Sequence, residues 1–156
     1  MNEAEVLIDD TVTVEAISQL CGFRIEKDFY AISVLDVQEV IRKQDLTIIP
    51  CAPGHIKGLI NLRGQIVTAL SLRNLFGLPE SQNETYMNII VKSEESLYAL
   101  MVDEILDVMD VEQFRYEKTP DNLDDRVRQY ISGVFKLDGK LLIKLNLDKV
   151  LKQEDK

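Results

Sequence analysis

The side chains that could do chemistry are few, and they are spaced badly for it. His55 is the only histidine in 156 residues, so a histidine-based metal centre or a Ser-His-Asp arrangement has too few members. Beside Pro53-Gly54 it reads as a loop residue. Cys21 and Cys51 are the only cysteines, and each lies next to apolar sequence. Both read as reduced core or near-core residues, not as a disulfide. The acids from Asp103 to Glu112 suit the solvated face of a twisted strand or turn better than a metal site. Asp121 to Asp125 lacks the glycine and the closing glutamate of a calcium loop. Gly54, Gly58 and Gly64 have neither the spacing nor the strand-to-helix setting of a phosphate loop. The chain therefore reads as non-catalytic, with no cofactor and no metal.

Charge narrows the partners. At a net charge of −9 the chain is a poor match for nucleic acid or an anionic membrane, both of which are bound through excess Lys and Arg. A small barrel that binds single strands also needs aromatic platforms, and this chain has no Trp and only 6% aromatic residues. No apolar run reaches the roughly 20 residues that span a bilayer. The acidic beginning lacks the basic region and apolar stretch of a signal peptide. Direct membrane insertion is not expected, and a cytoplasmic location is.

The one position that stands out does so through repetition. Ile56 to Leu72 recurs as Ile131 to Leu147 with its glycines and leucines in register. Each copy carries a turn between two apolar runs, Leu62-Arg63-Gly64 in the first and Leu137-Asp138-Gly139 in the second. Glycines flanking alternating apolar residues predict the same β-hairpin twice. Tyr30 to Ile41 is likewise echoed by Tyr98 to Met109. The copies differ most sharply at Arg63 against Asp138, which marks Arg63 as a candidate functional residue.

Around these hairpins the elements follow from period and punctuation. Strands are predicted at Leu20–Ile25, Phe29–Val34, Leu46–Ile49, Met87–Ser93 and Leu97–Val102, with a short one at Gln113–Tyr116. Leu35 to Ile41 mixes period 2 with helical spacing and reads as a short helix or bend leading into a strand. Helical turns are expected at Leu72–Phe76, within Thr119–Tyr130, and at Leu147–Leu151. Many short antiparallel strands favour small closed barrels, which leave no exposed edges. The expected fold class is all-β: two similar five-stranded β-barrels packed together, with short helical turns. Residues 1–19 form an acidic leader, 20–152 the body in two halves meeting near 77–86, and 153–156 a polar tail.

With these residues in place the chain resembles the CheW family, the coupling proteins of bacterial chemotaxis. The resemblance rests on Tyr30-Ala31-Ile32, Val37 to Ile41, Ile49-Pro50, Pro53 and above all Ile56-Lys57-Gly58-Leu59-Ile60-Asn61-Leu62-Arg63-Gly64. Val102-Asp103, Ile131-Ser132-Gly133 and Leu141 to Leu145 extend it over about residues 20–152. It implies two five-stranded SH3-like barrels and a non-catalytic adaptor. One surface would bind the regulatory domain of the histidine kinase CheA, and another the cytoplasmic tip of methyl-accepting chemoreceptors. Val37, Glu39, Gly58, Arg63 and Met87 match the receptor-facing positions, with Asn61 and Gly64 supporting the turn. Thr68, Ser71, Met87 and Ala99 depart from the residues common in the family. They leave open service in a paralogous chemosensory system, a stand-alone decoy, or a small-ligand-binding barrel that keeps only the scaffold.

Overall fold

Two-residue turns and period-2 burial build most of the molecule. The computed structural model describes residues 19–80, 85–110, 115–137 and 139–152. The acidic leader before Gln19, the polar tail, part of the 79–84 loop, Gln113, Phe114 and Asp138 lie outside them. In the first hairpin, β1 (Gln19–Ile25) and β2 (Asp28–Ser33) meet at Glu26-Lys27, where Glu26 adopts a φ of 61°. A 3-10 turn, Val34–Asp36, is capped by the Ser33 hydroxyl accepting from the Leu35 amide, and leads into β3 (Val37–Arg42).

β4 (Ile56–Leu62) and β5 (Gln65–Ser71) form the repeated hairpin, followed by α1 (Leu72–Leu75). β6 (Met87–Ser93), β7 (Ser96–Val102) and β8 (Glu104–Asp110) repeat the opening order. β9 (Arg115–Glu117) and α2 (Asp125–Arg128) precede β10 (Ile131–Leu137), β11 (Lys140–Leu145) and α3 (Leu147–Leu151). The two hairpins match in detail. Each carries a bulge before its glycine, at Ile56/Gly58 and at Ile131/Gly133. Each ends in a helix capped by a side chain, Ser71 Oγ accepting from the Asn74 amide and Asn146 Oδ1 from the Lys149 amide.

The strands assemble as two sheets, in the orders β3-β6-β7-β5-β4 and β8-β1-β2-β11-β10-β9. β5 runs parallel to β7, and β11 parallel to β2. Each sheet thus takes a leading hairpin from one sequence repeat and the trailing hairpin from the other. The first sheet is one continuous stretch from β3 to β7, and the second joins β1 and β2 to the C-terminal strands. The sequence repeats meet near 77–86, whereas the chain passes between sheets at the 3-10 turn and at Asp103. Long-range parallel pairing of this kind leaves no local sequence mark.

Three differences from expectation have physical causes. The second sheet has six strands instead of five, because β9 adds to β10. Neither sheet is closed into a barrel by strand pairing among the described residues. Leu46 to Ile49 makes only a bridge: the Thr47 amide donates to the Leu59 carbonyl at 2.9 Å, and the Leu59 amide to the Thr47 carbonyl at 2.8 Å. Pro50, with no amide to donate, and Cys51, with a φ of 64°, end the pairing there. Cys51 is exposed, and only Cys21 belongs to the core.

Alternation divides the core into layers. On β1, Cys21, Phe23 and Ile25 face the layer between the sheets, and Leu20 faces the inside of its own sheet. On β6, Ile89 and Val91 take the first role and Ile90 the second. The layer between the sheets is the largest cluster, and an aromatic row runs through it. Phe23, Tyr30, Phe76 and Tyr130 have successive ring centroids 6.0, 5.1 and 6.0 Å apart. Burying such side chains, worth about 1.5–3 kcal/mol each, holds the sheets together.

Candidate adaptor surface around Arg63

The Arg63-Gly64 turn is a two-residue hairpin loop with both residues at positive φ, 51° and 88°. That geometry suits the twist of the flanking strands and normally selects Asn, Asp or Gly. Asn61 supports it, its Oδ1 accepting from the Gly64 amide at 2.9 Å. An arginine held in the left-handed region carries backbone strain that a turn alone does not require. Its guanidinium forms an ion pair with Glu39, with side-chain exposures of 69% and 34%. Glu39 is on β3 and Arg63 is at the end of β4, and these strands are the two edges of the first sheet. The ion pair thus links the two edges where strand pairing does not, and the Thr47–Leu59 bridge closes the β3–β4 connection against β4.

Gly58 is explained by this closure. It is buried at a φ of 151°, and a Cβ there would lie 2.6 Å from the Thr47 carbonyl oxygen. The close approach that glycine permits is to the chain's own backbone. Lys57 beside it pairs with Glu80, Nζ to Oε2 at 2.5 Å.

The five matched residues do not form one patch. A bulge between Val37 and Glu39 sets Val37 opposite Val91 but Glu39 opposite Ile90. Residues directly opposite share a face, so these two acidic-strand neighbours point to different sides of the sheet. Val37, Val40, Arg42 and Met87 lie on the face toward the layer between the sheets, while Glu39 and Ile41 lie on the other. Val37 and Met87 are both half-buried, and both pack against that layer. Val37's partner Val91 and Met87 are four residues apart on β6, roughly 13 Å at strand rise. Val40, 38% exposed, lies between them on the same face, and Leu35 just before the strand is 49% exposed. The result is an apolar stripe along edge strand β3, with the Glu39–Arg63 pair on its far side.

Sequence reasoning missed Val40 and Thr47, and it missed an ionic clasp. Arg73 on α1 binds Asp103 in a forked arrangement, Nε to Oδ1 at 3.2 Å and Nη2 to Oδ2 at 2.7 Å. It also reaches Glu26 at 2.6 Å and donates to the Pro79 carbonyl at 3.0 Å. Asp103 Oδ2 further accepts from the Glu26 amide at 2.7 Å, and Arg24 pairs with Glu104 at 2.8 Å. Asp103 had been expected on a solvated face; its side chain is only 15% exposed and fully engaged. Burial works against its charge, but the Arg73 and Glu26 hydrogen bonds, with Arg73 and Arg24 as cations, outweigh that and lower its pKa. The clasp joins the β1–β2 turn to the point where the chain leaves β7 for β8.

No cluster of three or more metal-ligating side chains occurs among the described residues, and no helix among them is long and apolar enough to cross a membrane. The geometry offers an exposed ion pair, an apolar stripe and a sheet edge, which suit protein contact.

Relatives agree with this form. The chemotaxis protein CheW of Treponema pallidum is 30% identical over 142 residues, 88% of this chain and 84% of the relative. That of Thermotoga maritima is 27% identical, covering 86% and 88%. The crystal structure of the scaffolding protein TtCheW from Thermoanaerobacter tengcongensis superposes with a TM-score of 0.70 at 26% identity, covering 82% of this chain and 88% of that one. The family model for the CheW-like domain matches residues 19–155, so the chain belongs to the CheW family.

Proposed function

We propose that this protein is a non-catalytic adaptor that couples the cytoplasmic tips of chemoreceptors to the regulatory domain of the histidine kinase CheA. It acts in the cytoplasm, held at the membrane only through receptor arrays. The observation that carries this reading is the family match over residues 19–155, joined to an exposed arginine in a strained turn of the matched motif. Val37, Val40 and Met87 offer an apolar stripe to the face of a receptor helix, the way an amphipathic helix lies along a groove. Glu39 and Arg63 frame the other side of β3, where Arg63 exchanges its Glu39 contact for polar groups of the partner. Gly58, Asn61 and Gly64 act indirectly, by shaping the hairpin that carries Arg63.

The test is direct binding of the purified protein to a CheA regulatory domain and to a receptor-tip fragment, measured separately. The adaptor reading requires both complexes. Failure of both would sink it.

A further inference from the structure

One side chain beside the apolar stripe works against the fold that holds it. Asn88 on β6 is fully buried, at 0% exposure. Its register partners, Ile41 on β3 and Met101 on β7, both pack against the apolar cluster of Ile60, Leu62, Val67 and Ile90. Residues directly opposite share a face, so the amide sits among aliphatic groups on the inside of the first sheet. Its Nδ2 donates to the Arg42 carbonyl at 3.3 Å. Its Oδ1 is sealed from solvent without a hydrogen-bond partner among the described residues. A buried acceptor left unpaired costs more than one long hydrogen bond returns.

The other half of the molecule shows that this position needs no amide. Glu26 and Glu94, both at positive φ, mark equivalent turns, and Leu20 and Asn88 each precede them by the same spacing. The pairings agree. Leu20 lies opposite Met109 and Ser33, as Asn88 lies opposite Ile41 and Met101. Leu20 is equally buried, among Ala31, Phe135 and Leu142, the counterparts of Ala99, Ile60 and Val67. One site in the fold thus takes leucine in one sheet and asparagine in the other. The asparagine is the choice that stability alone disfavours.

What the amide reaches gives it a purpose. Arg42 ends β3, the edge strand that carries Glu39 and Val40 and pairs only with β6 among the described strands. A bulge between Val37 and Glu39 already interrupts that pairing near the other end. Arg42 lies opposite Met87, so the bond is made where the apolar stripe ends. Gln44 Nε2 donates to the same carbonyl at 3.0 Å. Two side chains therefore hold the point at which β3 leaves the sheet.

We propose that Asn88 is a positioning residue for receptor binding, pinning the end of edge strand β3 at a cost to stability so that Val40 and Met87 present one fixed stripe. Being buried, it touches no partner itself. The proposal rests on the adaptor reading, in which that stripe meets a receptor helix.

Asn88→Leu copies Leu20 and removes the donor and the unpaired acceptor together. The variant is expected to melt about 2–4 °C above the parent. Its affinity for a receptor-tip fragment should fall about fivefold, ~1 kcal/mol, with affinity for the CheA regulatory domain unchanged. Amide hydrogen exchange in the free protein should quicken along β3 but not along β5. Gln44→Ala loosens the same carbonyl from outside the core. It should weaken receptor binding about twofold without raising the melting temperature. A merely structural asparagine would give the opposite pattern, a lower melting temperature or loss of folding in Asn88→Leu with both complexes weakened alike, and that result overturns the proposal. Unchanged exchange along β3, or full receptor affinity in both variants, overturns it too. If the parent binds no receptor fragment, the adaptor reading itself fails and takes this role with it.

Discussion

The two sequence repeats build the same skeleton and then use it differently. Both have a bulged hairpin, a capped helical turn and a leading two-residue turn with glutamate at positive φ, Glu26 at 61° and Glu94 at 57°. At the helix, the first repeat places Arg73 and the second Asp148. Arg73 ties Asp103 and Glu26 into a clasp between the sheets. At the corresponding place Asp148 faces Asp36, whose pKa is raised by burial and by Asp148, with Lys144 opposing. At the hairpin turn one copy has Arg63, paired with Glu39, where the other has Asp138. Backbone hydrogen bonds and apolar packing are what duplication preserves; charged side chains are where the halves have separated. In the proposed reading, Arg63 belongs to the second set.

The clasp is the largest expected break in that comparison. Arg73→Met removes the cation while Asp103 stays only 15% exposed. We expect a loss of about 2–3 kcal/mol, less than the ~3–5 of a fully buried pair because solvent still reaches both side chains. Denaturant unfolding measures it, and its pH dependence identifies the group. Asp103 titrates below its ordinary range when folded, so its contribution is complete above the unfolded carboxylate pKa of about 3.9 and is lost as pH falls through the depressed value. The deficit of Arg73→Met should therefore shrink in acid. A deficit unchanged down to strong acid would mean that lost packing, not charge, was responsible.

Gly58→Ala tests whether the matched glycine acts on the partner or on its own chain. With a Cβ 2.6 Å from the Thr47 oxygen and a φ of 151°, the variant should lose about 1–3 kcal/mol and expose the Thr47 and Leu59 amides to hydrogen exchange. Normal stability with lost receptor binding would instead make Gly58 a contact residue. A smaller effect is expected from His55→Tyr. The folded-state His55 pKa lies below its ordinary value, so the unfolded chain takes up the proton first, and stability falls as pH drops below about 6.5. The tyrosine variant should lack that slope. An identical slope in both proteins would show that His55 is not its source.

Much of the fold was legible before any coordinates, and the reasons are local. The hairpin turns at Arg63-Gly64 and Glu94-Glu95 were readable from glycine, charge and flanking alternation, and so were the helical turns that follow each repeated hairpin, though not their caps, Ser71 and Asn146. The mixed periodicity of Leu35 to Ile41 was a true signal whose cause was hidden: a bulge, which turns Val37 and Val40 to one face. No local pattern encodes parallel pairing of β2 with β11, the Thr47 bridge, or an arginine that meets an acid 30 residues away. The candidate site divides the same way. Arg63 was found by comparing the copies and Glu39 through the family resemblance, whereas the exposed Val40 needed the register.

The central claim is that Arg63, alone among the charged differences between the repeats, serves the receptor. Exposed ion pairs contribute about 0–1 kcal/mol, so the Glu39 contact is dispensable to the fold. Aspartate and asparagine also suit the turn's left-handed backbone better than arginine. The most direct measurement is the affinity of Arg63→Asp and Arg63→Asn for a receptor-tip fragment, alongside their melting temperatures. The account predicts melting within a few degrees of the parent and receptor binding at least about tenfold weaker for both, which is ~1.4 kcal/mol. Unchanged receptor affinity in two normally folded variants would contradict it.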